Sequence, residues 1–124
     1  MREGRTVLAT ALACVVAGCQ SGGAPLADLS GDALARAQTL APKDGRLAGL
    51  YAQSCKACHT VADTGAPLAG DRAAWEARWA KGLPALVQST VGGLNGMPAG
   101  GQCFACTPAD YEALIRFLAG REQA

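Results

Sequence analysis

The sequence predicts a small all-α domain, about four short helices gathered around something other than polypeptide. Three observations predict it. Apolar residues recur at helical spacing in successive segments, most behind a capping residue, and no segment alternates with the period of a strand. The folded part, residues 44–120, is short, and only 5% of the chain is Phe, Trp or Tyr. Such a domain rarely has core enough to stand alone and usually needs a staple, a metal or a cofactor. Third, the chain's single histidine sits with two cysteines in one five-residue block, "CKACH", residues 55–59.

The first residues stand outside that domain. "MREGR" is a charged head, and "TVLATALACVVA" is an apolar run of about twelve residues. That length suits the core of a signal peptide and falls short of the roughly 20 residues of a membrane-spanning helix. "VAGC", residues 16–19, resembles the lipobox of bacterial lipoproteins. The resemblance implies cleavage after Gly18 and acylation of Cys19. Gln20 follows where an inner-membrane lipoprotein would carry aspartate, which implies the periplasmic face of the outer membrane. Two or more acyl chains would hold the protein firmly, where one holds only weakly. Residues 1–18 are thus read as signal, 19–43 as lipidated N-terminus and tether, and 44–124 as the domain. The tether, rich in Ala, Gly and Pro, has room for a short helix at 30–40, and as a flexible chain would span roughly 25–30 Å; the alternative is an N-terminal extension packed on the domain.

Export governs the six cysteines. Outside the cytoplasm free thiols tend to oxidise and pair. Cys14 leaves with the signal and Cys19 carries lipid. Two C-x-x-C pairs remain, Cys55/Cys58 and Cys103/Cys106. Without residues 1–18, nine basic and nine acidic residues are left. No basic stripe exists for nucleic acid and no charge run for steering.

The elements follow in order. Asp44 caps a first helix along which Leu47, Leu50, Tyr51, Ser54, Cys55 and Cys58 recur at helical spacing. Residues 60–70, "TVADTGAPLAG", read as loop. "DRAAWEARWAK" is a helix capped by Asp71, with Trp75 and Trp79 on one face. A short helix follows at 83–91, with Pro84 in its first turn. "GGLNGMPAGGQCFAC" is irregular. "TPADYEALIRFLAG" is the clearest helix. Thr107 caps it, Pro108 opens it, and Asp110 completes a capping box. Tyr111, Leu114, Ile115 and Leu118 form its stripe, and Gly120 ends it.

"CKACH" admits three readings. C-x-x-C-H is the attachment signature of c-type haem. Two thiols three residues apart reach the two vinyl groups on one porphyrin edge, and the adjacent imidazole meets the iron. A four-cysteine metal site made by both pairs leaves His59 unexplained. A dithiol redox site belongs after a strand, and none is evident. An exported, helical chain with the histidine in place favours haem. Low-spin iron then wants a second axial ligand. No other histidine exists, and Met1 leaves with the signal, so Met97 remains. Its loop carries Gly96 and Gly100, which let backbone lie near a flat ligand, and Pro98, which stiffens the chain beside the sulfur. The bland reading of Met97 is core filler.

"CKACHT", "TGAPLAGD", "GMPAGGQCFAC" and "DYEALIRFLAG" together resemble a small class I c-type cytochrome of the cytochrome c₅ family, over residues 44–120. The resemblance implies one covalently bound haem c between crossing first and last helices. It implies thioether bonds at Cys55 and Cys58, His59 and Met97 as axial iron ligands, and a disulfide between Cys103 and Cys106. It also implies a Pro67 carbonyl that accepts a hydrogen bond from the ligand imidazole, which orients the ring. Many relatives have glycine where Leu47 stands, so the helix contact is expected to be altered or to use Gly49. A disulfide closing so small a loop contributes only about 2 kcal/mol, and its further role would be to pin the Met97 loop to the last helix. Trp75 and Trp79 are expected against the haem, either as core or through an indole N–H to a haem carboxylate. Arg72, Arg78 and Lys81 read as solvated charges.

The function expected is a periplasmic, membrane-tethered electron carrier serving respiratory redox partners, with no small-molecule substrate. Its rivals are a haem subunit of a larger oxidoreductase, a haem protein that binds small molecules, and a four-cysteine metal module.

Overall fold

The computed structural model describes residues 26–122. The signal, Cys19 and the first residues of the tether lie outside the described residues. Within them the chain forms α1 (Leu26–Thr39), α2 (Gly45–Gln53), α3 (Lys56–His59), α4 (Arg72–Trp79), α5 (Leu83–Gly92), a 3₁₀ segment (Ala99–Gln102) and α6 (Pro108–Leu118). No strand occurs among the described residues, and one isolated bridge pairs Leu94 with Met97.

The caps act as the sequence requires. Leu47 N donates to Asp44 Oδ1 at 2.8 Å, which starts α2. Ala74 N donates to Asp71 Oδ1 at 3.2 Å, which starts α4. At α6 the capping box is complete: Thr107 N donates to Asp110 Oδ2 at 2.8 Å, and Asp110 N donates to Thr107 Oγ1 at 3.3 Å. Past the end of α6, Gly120 takes φ 65°, the left-handed conformation that closes a helix.

Two expectations about the elements are corrected. The helix expected from Asp44 through Cys58 is broken at Ser54, whose φ of −134° and ψ of −80° leave helical space. Its hydroxyl donates to Leu50 O at 2.6 Å and takes over a carbonyl that the helix would have used. Cys55 resumes helical angles and opens α3. The tether reading also fails over residues 31–43. Ala33, Ala37 and Pro42 are buried there, and Ala37 belongs to the core cluster. Ala33 and Ala37 lie four apart on one face, and their small side chains let α1 come close to the domain. Leu40 then packs across Gly70, where any Cβ would stand 2.5 Å from Leu40 Cδ1.

The core is Ala37, Tyr51, Ala69, Trp75, Leu114, Phe117, Leu118 and Ala119. Each large apolar side chain buried there contributes about 1.5–3 kcal/mol. α2 packs on α6 through Tyr51 and Phe117, edge to face at 4.9 Å. The Tyr51 hydroxyl has no hydrogen-bond partner among the described residues. Burial, with Cys55 adding to it, pushes its pKa up to about 12. Gly49 is not the point of helix contact: a Cβ there would meet nothing within 4 Å. Leu47 instead packs half-buried against the core. The helix pair is fastened at its other end by the Arg46–Asp110 ion pair, with Arg46 Nη2 to Asp110 Oδ2 at 3.0 Å.

Asp110 thus serves two elements at once. The Arg46 hydrogen bond, followed by the Thr107 backbone and hydroxyl, holds its carboxyl well below the usual carboxylate range. A folded-state pKa below the unfolded one gives stability that is complete above the unfolded value. That stability is lost as pH falls below about 4. The melting temperature should therefore drop on acidification through that range. Asp110→Asn should lower it at neutral pH and flatten the acid dependence, both read by thermal melts. Ala37→Leu should cost about 1–3 kcal/mol by overpacking the contact under α1; if that residue lay on a free tether, the melt would not move.

Candidate haem site

The site begins with one turn of helix. His59 N donates to Cys55 O at 3.0 Å and Cys58 N to the same oxygen at 3.3 Å. Cys55 and Cys58 are therefore one turn apart on one side of α3. Neither is in a disulfide, Cys55 half-buried and Cys58 exposed. Burial pushes the Cys55 thiol up, and the neighbouring Ser54 hydroxyl works against it.

His59 is buried, and the loop after it comes back to hold its ring. Nδ1 donates to Pro67 O at 2.7 Å. That bond puts the ring proton on Nδ1 and leaves the Nε2 lone pair without a partner among the described residues. Trp75 lies across the ring at 5.7 Å between centroids, the planes 27° apart. Its own Nε1 donates to Leu68 O at 2.9 Å. Ala69 N donates back to His59 O at 2.8 Å, and Gly70 N to Leu118 O at 2.8 Å. Burial pushes the His59 pKa down; the Pro67 carbonyl opposes this and nearby Arg78 reinforces it. The imidazole is held neutral, the form that ligates a metal.

Met97 ends a tight turn. Leu94 N donates to Met97 O at 3.0 Å and Met97 N to Leu94 O at 2.9 Å. Asn95 takes φ 52° within it, a conformation asparagine tolerates. The thioether is backed by Gly101 at φ 56°, where a Cβ would stand 3.2 Å from Met97 Cε. At Gly100 a Cβ would stand 2.7 Å from the Tyr111 hydroxyl, which donates to Cys103 O at 3.1 Å. The glycines thus let the loop approach side chains of its own domain. Gly96 meets nothing within 4 Å and borders the cavity instead. A disulfide joins Cys103 to Cys106, just before the Thr107 cap of α6.

These groups meet at one cavity of about 520 Å³. Cys55, Cys58, His59 and Pro67 line it from one part of the chain, Met97 and Pro98 from another, and Leu86, Leu114, Ile115 and Leu118 give it apolar walls. Its volume falls in the range of small-molecule and cofactor sites. Two thiols, a neutral imidazole with a free nitrogen and a thioether border the same apolar space. That donor set fits a covalently attached haem. It does not fit a four-cysteine metal site, because Cys103 and Cys106 are bonded to each other.

The aromatic and basic residues separate here. Trp75 lines the cavity, but its indole N–H is committed to Leu68, so the carboxylate role is closed to it. Trp79 does not line the cavity, which corrects the expectation for it. It lies beneath Arg116 and Arg121, at 5.9 and 5.1 Å from their guanidinium carbons. Arg78 and Lys81 are exposed yet border the cavity, with no Asp or Glu among its lining residues, whereas Arg72 lies elsewhere. Tyr111 and Leu86 also line it; sequence spacing marked Tyr111 as apolar stripe but gave no sign of its partner Cys103.

The family model described as cytochrome C oxidase, cbb3-type, subunit III matches residues 42–118. Cytochrome c5 of Azotobacter vinelandii is 41% identical over 73 residues, which cover 57% of this chain and 88% of that protein. Cytochrome c-555 of Chlorobaculum tepidum is 35% identical over 77 residues, 59% of this chain and 71% of that one. Cytochrome c-555 of Chlorobaculum thiosulfatiphilum is 34% identical over 77 residues, 59% and 90% of the two chains. The chain is a class I c-type cytochrome of the c₅ family. The cytochrome binds haem c covalently, Cys55 and Cys58 fit the attachment motif, and its activity is electron carriage rather than catalysis.

Gly101→Ala would force a Cβ into left-handed backbone and against the Met97 methyl. The variant cytochrome should keep its covalent haem and melt at lower temperature, read by a pyridine haemochrome and a thermal melt.

Proposed function

We propose that this cytochrome is periplasmic, is tethered to a membrane by acylated Cys19, and passes single electrons between respiratory redox partners. Cys55 and Cys58 would hold the haem through thioether bonds, and His59 Nε2 and Met97 Sδ would hold its iron. The observation that carries the reading is the pairing at one cavity of a free imidazole nitrogen with the chain's only methionine beyond the initiator. Held by both side chains, the iron would keep no position open for a substrate. The haem supplies an iron that cycles between Fe(II) and Fe(III), and a methionine ligand raises its potential. Pro67 keeps the imidazole in one orientation and tautomer. Leu86, Leu114, Ile115 and Leu118 keep water from the site. Arg78 and Lys81 border the cavity and would offer positive charge to haem carboxylates.

Docking through an apolar rim is supported by where the exposed large apolar residues lie. Val61, Val91, Leu94 and Phe104 are the four among the described residues, and Leu94 lines the cavity itself. Phe104 is 97% exposed at the tip of the disulfide loop. The equal numbers of basic and acidic residues beyond the signal speak against strong steering. Tethering is supported by the charged head, the short apolar run and "VAGC". No helix among the described residues is long and apolar enough to cross a membrane.

A second reading, a fixed haem subunit of an oxidoreductase, is favoured by one observation: the matching family model describes an oxidase subunit. Co-purification with a stoichiometric partner would decide for it. For the first, the mature protein should show one haem c in a pyridine haemochrome, titrate as a one-electron couple and refuse carbon monoxide at neutral pH. Met97→Leu should abolish the red-end band and admit carbon monoxide. A wild-type protein that binds carbon monoxide readily would overturn the carrier reading, and a mature N-terminus without acyl chains would overturn the tether.

A further inference from the structure

We propose that a cleft between α1 and the C-terminal end of α6 docks the phosphate headgroup of an anionic phospholipid, a second membrane contact beside the anchor. The placement rests on the lipoprotein reading; the chemistry of the cleft does not. The cleft is open, about 650 Å³, and lined by Arg36, Leu40, Arg72, Phe117 and Arg121, with Glu122 as its one acid. Arg121 is engaged by Glu76 and lies over Trp79. The guanidiniums of Arg36 and Arg72 make no hydrogen bond or ion pair among the described residues. Two unengaged guanidiniums beside the half-buried Leu40 match a phosphate ester with a hydrocarbon stem. Guanidinium presents paired donors to phosphate oxygens and is less tightly hydrated than ammonium.

Two facts say why the occupant is a bilayer. The family match runs from residue 42 to 118, so Arg36, Leu40, Arg121 and Glu122 lie outside what the family model covers. Those four residues therefore lie beyond the matched domain, and Arg36 and Leu40 belong to the segment that runs back towards Cys19. Residues 20–25 separate Cys19 from the start of α1. Six residues reach at most about 20 Å when extended. Because α1 is packed on the domain, the domain is held near the surface rather than lifted from it. At that distance even a weak headgroup site is loaded, since tethering sets a high effective concentration. Anionic leaflets attract clustered basic residues within a Debye length. No cleft residue lines the haem cavity, so bilayer contact here leaves the cavity open to a partner.

The test uses the haem-loaded mature chain with Cys19→Ser, exported behind an ordinary cleavable signal, so that no acyl chain contributes. Binding to vesicles containing phosphatidylglycerol should be at least tenfold tighter than to pure phosphatidylcholine vesicles, and salt should weaken it. The pair Arg36→Gln and Arg72→Gln should remove that preference while the visible spectrum and melting temperature stay unchanged. Equal binding to both vesicles, or an unaltered preference in the double variant, overturns the proposal. Glycerol 1-phosphate binding in solution as tightly as the vesicles would assign the cleft to a soluble phosphate and overturn it too. The acyl mass on native Cys19 is a separate readout, so failure of the tether and failure of the cleft are distinguishable.

Discussion

The hydrogen bond from His59 Nδ1 to the Pro67 carbonyl is the constraint on which the site depends. It fixes which nitrogen is protonated and how the ring is turned. It is made inside a loop with two further ties, Ala69 N to His59 O and Trp75 Nε1 to Leu68 O. Removing any one of these would loosen the others, because they share the same short run of backbone. Burial pushes the imidazole toward its neutral form, so packing and ligand chemistry act in the same direction.

The opposite side of the cavity is built on another principle. Met97 comes from a tight turn and a run of left-handed residues, with little regular structure to hold it. Its stiffness comes from close packing: Gly101 under the thioether and Gly100 against Tyr111. Tyr111 belongs to α6 and its hydroxyl reaches Cys103, so the loop, the disulfide and the last helix form one assembly. The same helix faces the cavity with Leu114, Ile115 and Leu118 and faces α2 with Phe117. α6 therefore couples haem environment to global stability, and Asp110 at its start is shared between its cap and the ion pair to α2.

The N-terminal extension changes how the domain meets its surroundings. Packed alanines turn a presumed spacer into part of the fold. The packed helix adds Ala37 to the core and sets Leu40 against Gly70.

Several features were legible in the sequence because they are local. Capping by Asp44, Asp71 and Thr107 acts within three residues, and the C-x-x-C-H spacing, the lone Met97 and the Thr107–Asp110 box are read from adjacent positions. Pro67 was legible through resemblance, since nothing in its own spacing points at His59. Other features were decided by contacts between distant segments. Trp75 and Trp79 share a helix face in the sequence, yet one stacks on His59 and the other lies under Arg116 and Arg121. Arg72 and Arg78 read alike as surface charges, yet they border different clefts. Gly49 was one expected crossing point, but α2 meets α6 through Tyr51 and Phe117. Composition called residues 31–43 a tether, whereas Ala33 and Ala37 found a partner surface. The sequence determined the chemistry of the donor set, because ligand identity and spacing are properties of neighbouring residues. The tertiary structure decided which side chains share the cavity and where α1 lies, because those depend on surfaces that exist only once distant elements have packed.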